Sequence, residues 1–375
     1  MKQNKLIRLS KSCLSNTEKK AVSGVLDREN LGMGQEVKQF EDALSDFFSR
    51  STVCVSTGTS ALHLAVQACG IALGDEVLVP SLTYISCFQA ISATGAKPVA
   101  CDIDLKTLCL DWKDAEKRLT ANTKAIMPVH YSGGVGDLDA IYDFANKYKL
   151  RVIEDAAHAF GSIYNGKRVG SFGDIACFSF DGIKNITSGE GGCVVSHNEK
   201  ILKRVRDSRL LGVEKDTEQR YSGNRSWDFD VSNQGWRCHM SNIMAAIGLE
   251  QLKRFPELSH KRRILAQYYD SLFKNHSQIE LLEHDYELIV PHIYVVRIKG
   301  MTNRENIQKK LKQQGIETGY HYQPNHHLSM YSNSSEKIFS VTDSVFPELI
   351  TLPLHPDLLL EDLEYVSSSL KELLV

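Results

Sequence analysis

Short apolar runs alternate with helical patterns through the first 250 residues of this 375-residue chain. A helical pattern follows the apolar run 52–55, another covers 84–93, and a third covers 137–148 with its apolar side chains on one face. Strands that alternate with helices are typical of an α/β domain with a mainly parallel sheet covered on both faces. The strand candidates are 52–55, 76–80, 98–100, 125–129, 151–153, 175–180 and 193–195.

The pattern changes after about residue 250. A long helical stretch at 259–273 leads to one clear strand at 293–298 and then to a helix at 303–313. This order indicates a smaller α+β unit. We therefore predict a large α/β domain over residues 1–250 and a small C-terminal domain over 251–375.

Composition narrows the class of protein. The formal net charge of −2 gives no electrostatic basis for binding nucleic acid or an anionic membrane. No apolar run approaches the length of a membrane span, and residues 1–5 lack a signal-peptide core. The nine cysteines have no CxxC spacing and are typical of small buried side chains in a reducing compartment. We expect a cytoplasmic protein.

Lys184 lies between two apolar runs and just before the glycine-rich turn 189–192. A lysine removed from water loses its proton readily, and its amine can then attack a carbonyl to form a Schiff base. An exposed lysine in a turn between two strands would give a similar sequence. Both interpretations remain open on this segment alone.

Two segments are suited to a phosphate group at the carboxyl ends of the strands, where ligands gather in such sheets. Gly58, Thr59 and Ser60 follow a strand and begin a helix, whose N-terminus favours an anion. Ser179 lies at the end of the strand that approaches Lys184. A simple helix cap would explain Thr59 and Ser60 equally well.

Two acidic residues end the buried strand candidate 151–153. A carboxylate there needs a cationic partner or several donors, and the protonated nitrogen of a pyridine ring would be such a partner for Asp155. Helix capping by Asp155 is the simpler alternative. A metal pair with His158 is disfavoured because further ligands at complementary spacing are missing, so we predict no metal site.

In order and spacing, these segments resemble the DegT/DnrJ/EryC1/StrS family of sugar aminotransferases, which are fold-type I enzymes that use pyridoxal 5'-phosphate (PLP). The resemblance extends over essentially the whole chain, and the combination of motifs is more specific than any one of them. The matching segments are Gly34 with Phe40-Glu41, Ser56-Thr57-Gly58-Thr59-Ser60-Ala61-Leu62, Gly74-Asp75-Glu76-Val77, Pro128-Val129-His130, Glu154-Asp155-Ala156-Ala157-His158, Gly173-Asp174, the stretch 178–192 and His321-Tyr322-Gln323-Pro324.

The resemblance implies a role for each residue of the cofactor site. Lys184 is expected to form the Schiff base and transfer protons, and Asp155 to pair with the pyridinium nitrogen. His158 is expected beside the phenolate oxygen and Tyr84 over the ring, although an ordinary core tyrosine is the alternative for Tyr84. Gly58, Thr59, Ser60 and Ser179 are expected to hold the phosphate.

One position departs from the family pattern. Arg237 stands where many members have an asparagine that reaches the phosphate of the neighbouring subunit, so a guanidinium replaces that contact or the contact is lost. A surface ion pair is the alternative for Arg237. The resemblance nevertheless implies a homodimer with active sites at the subunit interface.

His321, Tyr322 and His326 are expected to line the sugar-diphosphate pocket, with a surface loop as the alternative for His326.

The implied reaction is a transamination in two halves. L-Glutamate donates its amino group and leaves the cofactor as pyridoxamine 5'-phosphate (PMP), which then aminates a keto sugar linked to a nucleotide. The sequence Lys-Asn-x-Thr before the turn 189–192 resembles members that act at C4, so we expect a dTDP- or other NDP-4-amino-4,6-dideoxyhexose. The alternatives are amination at C3 and a non-catalytic regulatory protein. A related dehydratase is disfavoured because those enzymes carry histidine in place of Lys184.

Overall fold

The computed structural model describes residues 6–332 and 338–374. Residues 1–5, considered above for a signal sequence, lie outside this part. The strands are β1 Thr52–Val55, β2 Glu76–Pro80, β3 Lys97–Cys101, β4 Thr123–Ile126, β5 Arg151–Asp155, β6 Ile163–Tyr164, β7 Lys167–Arg168, β8 Ile175–Ser179, β9 Gly192–Ser196, β10 Ile279–Leu281, β11 Tyr294–Ile298 and β12 Leu349–Leu352. The helices are α1 Asn16–Asp27, α2 Gln35–Phe48, α3 Gly58–Ala68, α4 Ser86–Ser92, α5 Trp112–Lys117, α6 Leu138–Tyr148, α7 Glu199–Ser208, α8 Asp216–Tyr221, α9 Asn242–Phe273, α10 Arg304–Gln313, α11 Ser340–Val345 and α12 Leu360–Glu372.

A seven-stranded sheet forms the centre of the large unit, in the order β1-β9-β8-β5-β4-β2-β3. Parallel pairing joins β3, β2, β4, β5 and β8 in succession. Strand β9 is antiparallel to both of its neighbours, β8 and β1. The prediction of a mainly parallel sheet is confirmed.

Alternate residues of the central strands belong to two separate cores. Val53 and Val55 of β1 face one core, which packs on α3, α4 and α7, whereas Cys54 between them faces the other, which packs on α2, α6 and α9. This alternation is the two-residue period of a strand, and burial on both faces explains why the strand sequences are continuously apolar.

Several predicted boundaries differ from the observed ones. The largest difference is the start of α9, at Asn242 instead of residue 259. Two others lie at the carboxyl edge of the central sheet. The strand expected over 125–129 ends at Ile126, and only an isolated bridge between Val129 and Asp155 continues it. The helix expected over 84–93 covers Ser86–Ser92. In both places the chain leaves regular structure where it reaches the carboxyl edge of the sheet.

The C-terminal part contains a three-stranded antiparallel sheet, β10-β11-β12, with a core of its own that includes Tyr269, Val296 and Leu363. The 32-residue helix α9 crosses the predicted boundary at residue 250 and contacts α1, α2 and α12. Ile7 pairs with Ile316, so the N-terminal segment joins this part of the fold. The division into two domains at residue 250 remains a prediction. In the two described ranges, no helix has both the length and the apolar character needed to cross a membrane.

An aromatic cluster fills the core between the sheet and helices α2 and α9. Phe160 lies at its centre and is 2% exposed. Its ring centroid lies 4.9 to 5.9 Å from those of five other rings. These rings belong to Phe47, Phe48, Phe178, Phe180 and Phe255.

We expect Phe160→Ala to lower the free energy of unfolding by about 3 to 5 kcal/mol, because the ring leaves a cavity that its five neighbours cannot fill. Leu73→Ala is the matched control, since Leu73 is 88% exposed and its truncation should change stability by less than about 0.5 kcal/mol. Urea unfolding followed by circular dichroism measures both. Equal effects of the two variants would contradict this account of the core.

Candidate active site

The carboxyl edge of the central sheet brings distant segments together. Strands β1, β2, β4, β5 and β8 all end there because they run in the same direction. Strand β9 runs in the opposite direction, so it begins at this edge and brings the turn 189–191 to it. The segments that sequence analysis singled out therefore meet in space.

A cavity of about 440 Å³ opens at this edge. It is lined by nine of the twelve residues predicted for the cofactor and substrate sites. Ser60, Arg237 and His326 are not among its lining residues. The nine are Gly58, Thr59, Tyr84, Asp155, His158, Ser179, Lys184, His321 and Tyr322.

Lys184 projects into the cavity from the loop between β8 and β9. Its Nζ lies 3.3 Å from Nε2 of His292. Burial lowers the pKa of Lys184 to about 8, although the nearby carboxylates of Asp155 and Asp181 oppose this shift. This placement excludes the alternative of an exposed surface lysine. An amine with such a pKa is about one-tenth uncharged at pH 7, a far larger fraction than that of an ordinary exposed lysine.

Asp155 faces the cavity from the end of β5 and is 5% exposed. Its Oδ1 accepts a hydrogen bond from the backbone N–H of Ala157 at 3.0 Å, and its Oδ2 accepts one from Sγ of Cys87 at 2.9 Å. The preceding Glu154 points to the opposite face of the sheet, where it binds His130 and Tyr142. The alternation of the strand thus separates the two acids and leaves only Asp155 facing the cavity.

The N-terminus of α3 forms a close-fitting cradle. Thr57 caps the helix, and its hydroxyl accepts from the backbone N–H of Ser60 at 3.0 Å. A Cβ on Gly58 would lie 2.7 Å from Cβ of Ser179, so only glycine fits beside this strand. The amides of Gly58 and Thr59 belong to the first turn of the helix, where backbone donors have no partner within the helix. These donors and the Ser179 hydroxyl suit a phosphate group. Because Asp155 and Lys184 line the same cavity, the residues present are compatible with bound PLP.

Aromatic and imidazole side chains form the opposite wall. Tyr84 is 56% exposed, and its ring centroid lies 5.5 Å from that of Tyr322. Because more than half of Tyr84 is exposed, it is not an ordinary core tyrosine. Nε2 of His158 lies 2.9 Å from the hydroxyl of Tyr322. Burial, and the nearby charge of Lys184, hold the pKa of His158 well below its usual value, so its imidazole is neutral.

His321 and His326 occupy different places. His321 reaches the cavity, and burial lowers its pKa to about 4. His326 lies apart, with Nδ1 2.6 Å from the hydroxyl of Ser81. Nε2 of His326 and of His327 lie 3.0 and 2.9 Å from the same oxygen of Asp343. Three potential metal ligands are close together there, and the expectation of no metal remains a prediction.

The model of the DegT/DnrJ/EryC1/StrS aminotransferase family matches residues 12–371. The chain belongs to this family. SpsC, a spore coat polysaccharide biosynthesis protein of Bacillus subtilis, is 34% identical over 385 residues, which cover 99% of this chain and 98% of SpsC.

Solved structures of sugar aminotransferases have the same fold. Spr1654 of Streptococcus pneumoniae, described as a sugar aminotransferase, superposes in its PMP form with a TM-score of 0.91 and 31% identity over 98% of this chain and 97% of that chain. Its PLP form gives a TM-score of 0.90. PseC of Helicobacter pylori, an aminotransferase involved in the biosynthesis of pseudoaminic acid, gives 0.90 with 28% identity over 98% of this chain and 99% of that chain. This member of the family is therefore a PLP-dependent sugar aminotransferase of fold type I, as predicted.

In this aminotransferase, no sequence pattern points to His292 or Asp181 as neighbours of Lys184, and Glu190 enters only as part of the turn 189–192. His292 contacts the amine, whereas Asp181 and Glu190 line the cavity. Burial raises the pKa of Glu190. His292 comes just before the apolar run 293–298, and nothing in that run indicates a contact with residue 184. Only the packing of the C-terminal part against the large sheet creates this contact.

We expect Gly58→Ala to weaken the apparent affinity of the apoprotein for PLP at least about tenfold. The added Cβ would also lie 3.2 Å from the backbone Cα of Ser179, so the cradle itself must move. Absorbance titration of the apoprotein with PLP measures the change. Gly32→Ala is the control, because its Cβ would meet nothing within 4 Å. Unchanged affinity in Gly58→Ala would place the phosphate elsewhere.

Proposed function

We propose that this aminotransferase moves the amino group of L-glutamate to the keto group of a 4-keto-6-deoxyhexose linked to a nucleoside diphosphate, in its dTDP form. The product is an NDP-4-amino-4,6-dideoxyhexose for a surface polysaccharide or glycan. The juxtaposition of Lys184 and Asp155 across one cavity carries the proposal of transamination. The names of SpsC and PseC support a role in polysaccharide or glycan synthesis.

Lys184 moves the proton in both halves of this reaction. PLP, when bound, supplies an electron sink for the negative charge at the carbon that gains or loses this proton. A general acid–base group works best when its pKa lies near the operating pH, and the pKa of about 8 places Lys184 there. Its position on the loop between two neighbouring strands of the sheet keeps the amine in the cavity.

The residues at the two ends of the cavity orient the cofactor. Asp155 would pair with the pyridine nitrogen and favour its protonated form, because its carboxylate is buried, faces the cavity and accepts two hydrogen bonds that stabilise its negative charge. Gly58, Thr59 and Ser179 hold the phosphate at the N-terminus of α3. The amide of Ser60 is used in the helix cap, and its hydroxyl pairs with those of Ser56 and Thr57, so Ser60 contributes to phosphate binding through the shape of the turn.

The segment that resembles C4-specific members forms the wall of the sugar pocket. Nδ2 of Asn185 donates to the carbonyls of Phe160 and Val290 at 3.3 and 3.2 Å. The hydroxyl of Thr187 accepts from the backbone N–H of Gly189 at 2.9 Å. These bonds fix the turn that places Glu190 at the cavity. We infer that Glu190, with His321 and Tyr322, contacts the sugar.

We further propose a homodimer in which Arg237 reaches the phosphate of the partner's site. Arg237 is exposed in the single chain and pairs through its backbone with Leu210. The same segment exposes the apolar side chains of Trp227, Phe229 and Val231, which a partner surface would cover.

The structure leaves all nine cysteines as free thiols, which supports our proposal of a cytoplasmic location.

The proposed reaction is tested by incubating the holoenzyme with L-glutamate and a panel of 4-keto and 3-keto nucleotide sugars, with NMR identification of the products. We expect a C4 amine from the dTDP-4-keto-6-deoxyhexose and bleaching of the visible absorbance of the enzyme by glutamate. Lys184→Ala should abolish turnover, whereas Lys167→Ala, at an exposed lysine, should leave it unchanged.

Each alternative gives a different result. A C3 amine formed only from 3-keto sugars would replace the C4 assignment. Visible absorbance that glutamate does not bleach, with no product from any sugar, would favour the non-catalytic alternative.

If Arg237 acts in the partner's site, a mixture of two inactive variants should regain activity. Lys184→Ala and Arg237→Ala should each have low activity alone. When they are mixed and refolded, about half of the dimers are hybrids with one intact site, so about a quarter of the wild-type activity should return. Without recovery, Arg237 acts within its own chain or not at all. Size-exclusion chromatography with light scattering checks that both variants remain dimers.

A further inference from the structure

His292 lies just before β11, at the point where the C-terminal part meets the cavity. It is 3% exposed. Its Nε2 lies 3.3 Å from Nζ of Lys184. Its Nδ1 is buried and has no hydrogen-bond partner among the residues that the structure describes. The contact with Lys184 is therefore the only hydrogen bond found for this ring within residues 6–332 and 338–374.

A single guanidinium fixes the backbone on both sides of this contact. Nη1 of Arg262 donates to the carbonyl oxygen of His292 at 3.0 Å. Nη2 of Arg262 lies 3.4 Å from the carbonyl oxygen of Ile183 and 3.5 Å from that of Lys184. One guanidinium thus binds the backbone of both segments, the one that carries the imidazole and the one that carries the lysine. Because this guanidinium is buried, the contact between the two side chains does not depend on a flexible surface residue.

The ring of His292 also packs on another imidazole of the cavity. Its centroid lies 4.4 Å from that of His158. Burial and the charge of Lys184 hold the pKa values of both histidines well below their usual range, so both rings are neutral at neutral pH. A neutral ring can accept a hydrogen bond from an ammonium group. The titratable or charged groups that face Lys184 or His292 are Cys87, Asp155, His158, Asp181, Arg262 and His321.

We propose that His292 is a positioning residue for Lys184, whose ammonium group donates a hydrogen bond to Nε2 of the neutral imidazole. This inference rests on the proposed role of Lys184 as the proton-transferring amine. Whenever the amine is free, His292 holds it inside the cavity and determines how readily it gives up its proton. Without this acceptor, the long side chain would sample other rotamers and the ammonium form would lose a partner.

The first test measures the protonation of Lys184 in the apoprotein. Acylation by an anhydride is followed at Lys184 by peptide mass spectrometry between about pH 6 and pH 10, because only the neutral amine reacts. The wild-type midpoint should lie near 8. His292→Leu should lower it by about one unit, since one hydrogen bond to the charged form is lost. His292→Gln retains an acceptor oxygen, so its midpoint should lie between those of His292→Leu and the wild type.

The second test separates positioning from substrate binding. In the holoenzyme, His292→Leu should reduce kcat about tenfold or more with KM for glutamate nearly unchanged, and His292→Gln should recover part of the loss. His284→Leu is the matched control, because His284 also has a buried, unpartnered ring nitrogen, whereas only His292 is in hydrogen-bond contact with Lys184 among the described residues. Thermal unfolding checks that each variant is folded. If the leucine variant does not fold, His292→Phe replaces it as a planar side chain without an acceptor.

Two outcomes would overturn the proposal. An unchanged Lys184 midpoint in His292→Leu or His292→Phe would show that the imidazole only fills space. An upward shift would show that His292 disfavours the ammonium form. Because the acylation test needs neither cofactor nor sugar, its result is independent of whether the assigned sugar reaction is correct.

Discussion

A buried guanidinium connects the Lys184 loop to the C-terminal part of the fold. Arg262 lies on α9, is 2% exposed and directs its donors to main-chain carbonyls. One further carbonyl, that of Leu354, lies 3.4 Å from Nη1. Several carbonyl dipoles thus replace the water that the cation loses on burial. The catalytic loop, the start of β11 and the segment after β12 all converge on this one group, so the geometry of the cavity depends on it.

Much of the large unit could be predicted from sequence because its elements are encoded locally. The apolar runs become strands with burial on both faces, and the motifs at their carboxyl ends meet because parallel strands share one edge. Asp155 and Lys184 were recognised for this reason. The strand period also decides which acid faces the cavity, and it assigns Asp155 to the cavity and Glu154 to the opposite face.

Other parts of the site depend on tertiary contacts that no local pattern encodes. His292 reaches Lys184 across 108 residues of sequence, because the segment 293–295 packs on Leu82, Ile103 and Tyr131 of the large unit. The hydroxyl-rich segment after β1 indicated a phosphate cradle, but not that the amide of Ser60 is used by the Thr57 cap. His326 looked similar to His321 in sequence, yet Ser81 and Asp343 hold it outside the cavity. Such differences require knowledge of which segments become neighbours.

The reversed direction of β9 has a mechanical consequence. Because β9 is antiparallel to β8, the loop that carries Lys184 leaves the sheet and returns to it at the same edge, between two neighbouring strands. Both of these strands lie inside the seven-stranded sheet, so the loop that carries the amine is anchored at both ends in the large unit. The facing wall, with His321 and Tyr322, comes from the C-terminal part, as does His292, which contacts the amine. A small displacement of that part would narrow or widen the space for the sugar while the reacting amine and its carboxylate partner stay in place.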